Sequence, residues 1–263
     1  MVAIIFSDID GTLINSDLQV TDMTRQSIQR AVQAGKVFVP VSARMPEAIK
    51  PIIDGIGIES PIISYNGALI QNQSKEVIAS HPMQTQIALD ICHFVQEKYP
   101  TIVWNIYSFH DWYAIDRKDW WIVREEQIVN VQSKEAKLSE LQELEAVHKV
   151  LLMGDSSVIG PLENHLKQVF PELSIAKSSP SFIEIVAQGI EKGLAVKIFA
   201  EYMGISLEET IAFGDNFNDL SMLQTVGKGF VMGNGPKEVK KTIGNVTADH
   251  NHDGIAKVLD EYL

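Results

Sequence analysis

Two short acidic segments carry the residues most able to do chemistry. Asp8-Ile9-Asp10-Gly11-Thr12 follows the apolar run Val2–Ser7, and Gly214-Asp215-Asn216-Phe217-Asn218-Asp219 follows the apolar run Thr210–Phe213. Carboxylates two residues apart at the end of a buried strand can reach one crevice, where they repel each other unless a cation or a shared proton lies between them. Asp215 and Asp219 are four residues apart, so one helical turn brings them to the same side. Asp8, Asp10, Asp215 and Asp219 together form an all-oxygen donor set, the kind that suits Mg²⁺. Gly11 lets the backbone turn sharply, and Thr12 adds a hydroxyl and an amide. Each segment alone also reads as an Asx-rich turn or a helix cap. Two of them, each at the end of a buried strand, point to a site, because open α/β sheets bind ligands beyond the carboxyl ends of their strands.

An acidic site attracts a phosphate only if positive charge is present. Mg²⁺ would supply most of it, and Lys192 or Arg44 the rest. Lys192 follows Gly189-Ile190-Glu191 at an expected helix start. Ser42 offers a hydroxyl at a third strand end, after Lys36–Val41. Taken alone, Lys192 reads as a solvated lysine and Ser42 as a turn residue leading into a helix.

The elements that must position these residues alternate. A strand at Val2–Ser7, a helix over Thr21–Ala34, a strand at Lys36–Val41, a helix over Pro46–Ile56 and a strand at Pro61–Ser64 imply a parallel sheet. The same grammar returns near the C-terminus: a helix over Lys192–Met203, a strand at Thr210–Phe213, a short helix from Leu220, a strand at Phe230–Met232 and a helix over Gly254–Tyr262. Between them, residues 82–184 mix strands with the helices Thr85–Lys98 and Val158–Val169, and this stretch holds all four tryptophans. The reading is one α/β domain built from 1–81 and 185–263, interrupted by an α+β insertion at 82–184. The aromatic stretch Trp104, Tyr107, Phe109, Trp112, Tyr113, Trp120 and Trp121 is either the insertion's own core or a surface that selects substrate. His250, His252 and Asp253 read as a turn before the last helix.

Composition bounds the rest. With 263 residues, 45% hydrophobic and 21% charged, the chain has ample material for a core. A formal charge of −12 argues against nonspecific nucleic-acid or anionic-membrane binding. The single cysteine, Cys92, excludes an internal disulfide and a cysteine-based zinc cluster. The apolar start lasts six residues and lacks the basic lead of a signal peptide, and no uncharged run reaches the ~18 residues of a spanning helix. The expectation is a soluble cytoplasmic protein, a monomer or small homo-oligomer, with no nucleic-acid or membrane partner. No Gly-Lys-Ser/Thr loop is present, which argues against an NTP-binding P-loop.

In this arrangement the sequence resembles the haloacid dehalogenase superfamily, specifically its Cof-type phosphatases with a C2-type α/β cap, over nearly the whole chain. Asp8-Ile9-Asp10-Gly11-Thr12 matches the first family motif, Ser42-Ala43-Arg44 the second, Lys192 the third, and Gly214-Asp215 through Asn218-Asp219 the fourth. Tyr65-Asn66-Gly67-Ala68 and Met232-Gly233-Asn234 match stretches typical of the subgroup. The second motif is more often Thr-Gly-Arg; here the hydroxyl is kept and the glycine is lost. The resemblance implies a Rossmann-like parallel-sheet core with an inserted cap. It implies a Mg²⁺-dependent phosphatase acting on a small-molecule phosphomonoester, a sugar phosphate or a phosphorylated cofactor. Asp8 would be the nucleophile and form an aspartyl-phosphate, and Asp10 the general acid and then base. Mg²⁺ would be held by the Asp8 carboxylate, the Asp10 main-chain carbonyl and Asp215, with Asp219 acting through water or from behind. Thr12, Ser42, Lys192 and Asn218 would serve the phosphate, Asn218 by orienting Lys192 or the phosphate. Two alternatives stay open: a phosphotransferase or mutase of the same superfamily, and a noncatalytic receiver-like phosphate-binding module. The insertion of about 100 residues counts against both.

Overall fold

The first strand is apolar throughout because both its faces are covered. In the computed structural model, which describes residues 2–262, β1 (Ile4–Ser7) sends Ile4 and Phe6 into one apolar cluster and Ile5 into another. α1 (Asp22–Gln33), β2 (Val37–Pro40), α2 (Pro46–Ile56) and β3 (Ile62–Ser64) follow. A hairpin of β4 (Leu69–Gln71) and β5 (Val77–Ser80), antiparallel to each other, then packs β4 against β3. Thr21 caps α1 by accepting from the Thr24 amide, and α2 begins with Pro46, whose missing N–H costs nothing in a first turn.

The chain divides into two compact units, one made of the residues up to Ser80 with those from Glu191 on, the other of His81–Ile190. The second unit runs through α3 (Thr85–Lys98), β6 (Val103–Ser108), β7 (Asp111–Ala114), α4 (Trp120–Val129), β8 (Lys134–Glu135), β9 (Lys149–Met153), α5 (Ser156–Val169), β10 (Leu173–Ser179) and β11 (Phe182–Ala187). Its six strands lie in the order β10-β11-β9-β6-β7-β8, antiparallel except for β7 with β8. The expected boundary at 184 falls inside β11, which pairs with β10 as far as Ala187, so the unit runs on to Ile190.

One face of that sheet, carrying Trp104, Ile106, Val150, Leu152, Ile183 and Ile185, packs on α3 and α5 with Cys92 among the buried residues. The other face carries a different aromatic group: Trp112 donates from Nε1 to Asn105 Oδ1 at 2.7 Å, and its ring stacks on Tyr107 with centroids 5.6 Å apart. The aromatic stretch therefore divides. Trp104 is core, whereas Trp120 is 62% exposed with the Arg124 guanidinium over its ring.

The first unit resumes with α6 (Lys192–Met203), β12 (Thr210–Gly214), α7 (Leu220–Thr225), β13 (Lys228–Val231), α8 (Lys237–Ile243) and α9 (Gly254–Tyr262). Its main sheet is parallel, in the order β13-β12-β1-β2, and a bridge between Val41 and Ile63 carries the order on to β3. α1, α2 and α9 cover one face through Ile28, Ile49, Ile53 and Leu259, and α6, α7 and α8 the other through Val196, Phe199, Met222 and Val239. This is an α/β core with a parallel sheet, interrupted by a sheet-rich unit. Among the described residues, no helix is long and apolar enough to cross a membrane.

Trp104 fills the centre of the second unit's core. Trp104→Ala should cost about 3–5 kcal/mol, the usual range for deleting a large buried aromatic, read as a lowered denaturant midpoint in unfolding followed by circular dichroism.

Candidate active site

Strand register places the first carboxylate. β1 pairs with β12 as far as Ser7 opposite Phe213, and the Asp8 amide adds one more bond, to the Phe213 carbonyl at 3.0 Å. The Asp8 side chain thus leaves the sheet where the pairing stops, and the residue is 6% exposed. Gly214 ends β12, so Asp215 emerges beside it. Between the two, Gly11 holds φ +82°, and a Cβ there would come within 2.6 Å of Asp215 Oδ2. Glycine is required twice at this position, for its backbone angle and for the closeness of the carboxylate.

Lys192 opens α6, and its ammonium is sealed among carboxylates. Nζ donates to Asp8 Oδ1 and to Asp219 Oδ1, each at 2.6 Å, with the lysine side chain 1% exposed. A lysine in a first helical turn opposes the helix dipole, and burial opposes its charge. The two carboxylates more than reverse both effects, and the ammonium holds its proton well beyond the usual lysine range. Gly193 permits the approach, since a Cβ there would lie 2.7 Å from the Ser221 carbonyl of α7.

Asp219 is fully buried and fully engaged. Besides Lys192 on Oδ1, its Oδ2 accepts from the Asp215 and Asn216 amides, both at 2.9 Å. It braces the loop that presents Asp215 as well as the ammonium. Asp215 itself accepts from Thr12 Oγ1 at 3.1 Å and from Asn234 Nδ2 at 3.2 Å.

Asp8, Asp215 and Asp219 each offer an oxygen, and the three oxygens lie within 4.8 Å of one another. Three carboxylates face one ammonium, so the cluster is anionic when all are ionised. Burial pushes the Asp8 carboxyl well up, with Lys192 opposing and Asp219 and Asp10 adding to the rise. Burial and the nearby Asp219 push Asp215 up to about 6. An all-oxygen set of this size fits a small hard cation, for which opposed ligand oxygens stand about 4.2 Å apart. A bound dication would favour the ionised form of both groups and so oppose the burial and the repulsion that raise them.

The other expected residues fall into place differently. Asp10 does not join the three: its carboxylate is gripped by Arg44, Nε to Oδ2 at 2.8 Å and Nη2 to Oδ1 at 2.6 Å. Thr12 was expected on the phosphate, yet it gives its hydroxyl proton to Asp215, so it orients that carboxylate. The expectation for Asn218 is that it orients Lys192 or the phosphate; Lys192 is held by Asp8 and Asp219, and Asn218 is exposed on the same loop. Ser42 is buried beyond β2: its amide donates to the Ile63 carbonyl, and its Oγ accepts from the Arg44 amide, which leaves the hydroxyl proton to donate. Asn234, in the Met232-Gly233-Asn234 stretch, carries no role from the sequence alone. Its Nδ2 ties the Gly11 carbonyl, at 2.9 Å, to Asp215; its signal was a further polar residue just past a strand end. Residues 249–253 form the expected turn, with His252 against Asp249 and His250 Nε2 3.2 Å from Ser16 Oγ.

A parallel α/β sheet thus presents carboxylates at two adjacent strand ends, with a buried lysine joining Asp8 to Asp219. The model of the haloacid dehalogenase-like hydrolases matches residues 5–259, and the chain belongs to that family as one of its phosphatases. A Haemophilus influenzae protein named "Putative phosphatase" is 36% identical over 99% of this chain and 98% of its own length. The pyridoxal phosphate phosphatase YbhA of Escherichia coli is 28% identical, with 99% of this chain and 98% of that protein covered. A haloacid dehalogenase-like hydrolase from Bacteroides thetaiotaomicron superposes with a TM-score of 0.92 at 27% identity, each chain covered in full.

The raised Asp215 carboxyl links metal-free stability to pH. Its folded value of about 6 lies above its ordinary 3.8, so the folded state holds the extra proton between the two. Stability from this group is present below that window and lost as pH rises through it. Asp215→Asn should therefore raise the melting temperature of the EDTA-treated protein at pH 7.5 by a few degrees, with a smaller gain at pH 5. Divalent binding, measured by calorimetry, should weaken in the wild type below pH 6 as the proton competes.

Proposed function

We propose that the protein is a Mg²⁺-dependent phosphatase that hydrolyses a small-molecule phosphomonoester through phosphorylated Asp8. The observation that carries this reading is the buried Lys192 ammonium held between Asp8 and Asp219, with Asp215 alongside. Asp8 and Asp215, together with the Asp10 main-chain carbonyl, would hold the cation, with Asp219, which already holds Lys192 and two loop amides, acting through water or from behind. When bound, the cation supplies positive charge that offsets the repulsion between carboxylate and phosphate dianion.

The chain's own residues then divide the work. Lys192 fixes one Asp8 oxygen, which aims the other and favours its ionised form. Asp8 attacks phosphorus as the bond to the leaving oxygen breaks, and Asp10 gives that oxygen its proton. Asp10, now a carboxylate, takes a proton from the water that attacks the phosphorylated Asp8; phosphate leaves and both carboxyl groups are restored. Lys192 and the Ser42 hydroxyl would hold the phosphoryl oxygens. Little covalent chemistry is needed beyond placing charges that do not have to reorganise.

The substrate class rests on the family and on relatives. Pyridoxal phosphate is named for YbhA, and 5-amino-6-(5-phospho-D-ribitylamino)uracil for the Bacillus subtilis relative YitU, 27% identical over 97% of this chain. Both are phosphorylated heterocycles, so phosphorylated cofactors and their precursors belong beside sugar phosphates in a substrate panel ranked by kcat/KM.

p-Nitrophenyl phosphate turnover should require Mg²⁺, stop with EDTA and return on adding excess Mg²⁺. Asp8→Asn should lower kcat by about 10³-fold or more, as loss of a nucleophile does elsewhere. Near wild-type turnover by that variant would refute the mechanism, and stoichiometric phosphorylation without turnover would favour a receiver-like module.

A further inference from the structure

The sequence left Arg44 as a candidate phosphate ligand; the structure gives its guanidinium another task. We propose that Arg44 is the positioning residue for Asp10, holding the carboxyl in the plane from which it exchanges protons with the leaving oxygen and with water. This rests on the reading of Asp10 as general acid and base.

Four observations carry it. The pair is two-pronged, Nε to Oδ2 at 2.8 Å and Nη2 to Oδ1 at 2.6 Å, which fixes the carboxyl plane as a single contact would not. The Arg44 side chain is 12% exposed and that of Asp10 51%, so a largely covered cation holds an acid that still faces solvent. The Arg44 backbone is itself clamped: its amide donates to Ser42 Oγ, and its carbonyl accepts from the Tyr65 amide. Tyr65 and Asn66 adopt left-handed backbone, φ 53° and 56°, and the Asn66 amide closes onto the Ser42 carbonyl. Strain of that kind at a nonglycine pair persists only where its surroundings impose it. Finally, the Asp10 backbone is bridged to Ile14, which restrains the loop from which its side chain reaches Arg44.

The chemistry makes the proposal testable. In the first step, Asp8 bonds to phosphorus, the bond to the leaving oxygen breaks, and the Asp10 proton goes to that oxygen. An alkoxide leaves poorly without that proton, whereas p-nitrophenolate needs none. Because kcat/KM reports only steps up to leaving-group release, comparing glycerol 2-phosphate with p-nitrophenyl phosphate isolates proton delivery. Arg44→Met should lower kcat/KM for glycerol phosphate by about 10²-fold, the lower end of general-acid contributions, and lose far less on the aryl substrate. Arg44→Lys, which keeps the charge without the fork, should recover only part of the loss. Asp10→Asn should show the same selectivity more strongly.

Equal losses on both substrates for Arg44→Met, with Asp10→Asn still selective, would overturn the proposal and return Arg44 to the phosphate or to folding. Equal losses for Asp10→Asn as well would instead overturn the general-acid reading, and the proposal would fall with it. Full recovery in Arg44→Lys would also overturn it, since charge and not plane would then be what matters.

Discussion

One buried ammonium organises the centre of the first unit. Lys192 is removed from water at the positive end of a helix, where an unpartnered charge would cost several kcal/mol. It is tolerable only because Asp8 and Asp219 arrive at hydrogen-bond distance from two other segments. The requirement runs both ways. Asp8 is displaced upward by burial, and its ionised form depends on that same ammonium. The ends of β1 and α6 and the loop after β12 are therefore locked into one arrangement, in which no segment can move without stranding a charge.

The surrounding packing holds that arrangement open to a cation. Parallel pairing of β1 with β12 fixes Asp8 and Asp215 side by side, and the absent Cβ of Gly11 lets the Asp215 carboxylate approach the first loop. Thr12 and Asn234 fasten Asp215 from one side, while Asp219 fastens its backbone from the other. The carboxylates are thus concentrated before any ligand arrives. A site prepared this way forgoes stability in the metal-free protein to avoid reorganisation later, a familiar trade between stability and activity.

How much of this the sequence disclosed depended on how local the signal was. The strand–helix alternation was legible because buried parallel strands read as short apolar runs and because Gly35 and Pro46 stand at helix ends. α2 and α6 occupy the residues expected for them. The hairpin of β4 and β5, the strands β7, β8 and β10, and helices α4 and α8 were not anticipated. β8 has two exposed residues and α4 a single buried one, Ile122, so neither carries the periodicity of a covered element. At the site, residue types were legible and partners were not. Thr12 with Asp215, Asn234 with Gly11 and Arg44 with Asp10 join residues 34 to 223 positions apart, and no spacing rule reaches across such gaps.

Asp8 and Asp10 show what that missing tertiary information does. They sit two residues apart on one loop and are chemically identical, yet they meet different cations. Asp8 turns inward to a fully buried ammonium, and its remaining neighbours are carboxylates; Asp10 turns outward to a guanidinium, half exposed and outside the carboxylate cluster. With a cation bound beside the ammonium, a carboxylate placed like Asp8 would be held ionised and able to attack, as the proposed mechanism requires. One that faces solvent on a rigid fork is suited to exchange protons with whatever sits beyond it. In the proposed mechanism, division of labour between like groups would follow from which cation each is given, and the sheet's register and the clamped turn at Ser42–Arg44 fix those two pairings.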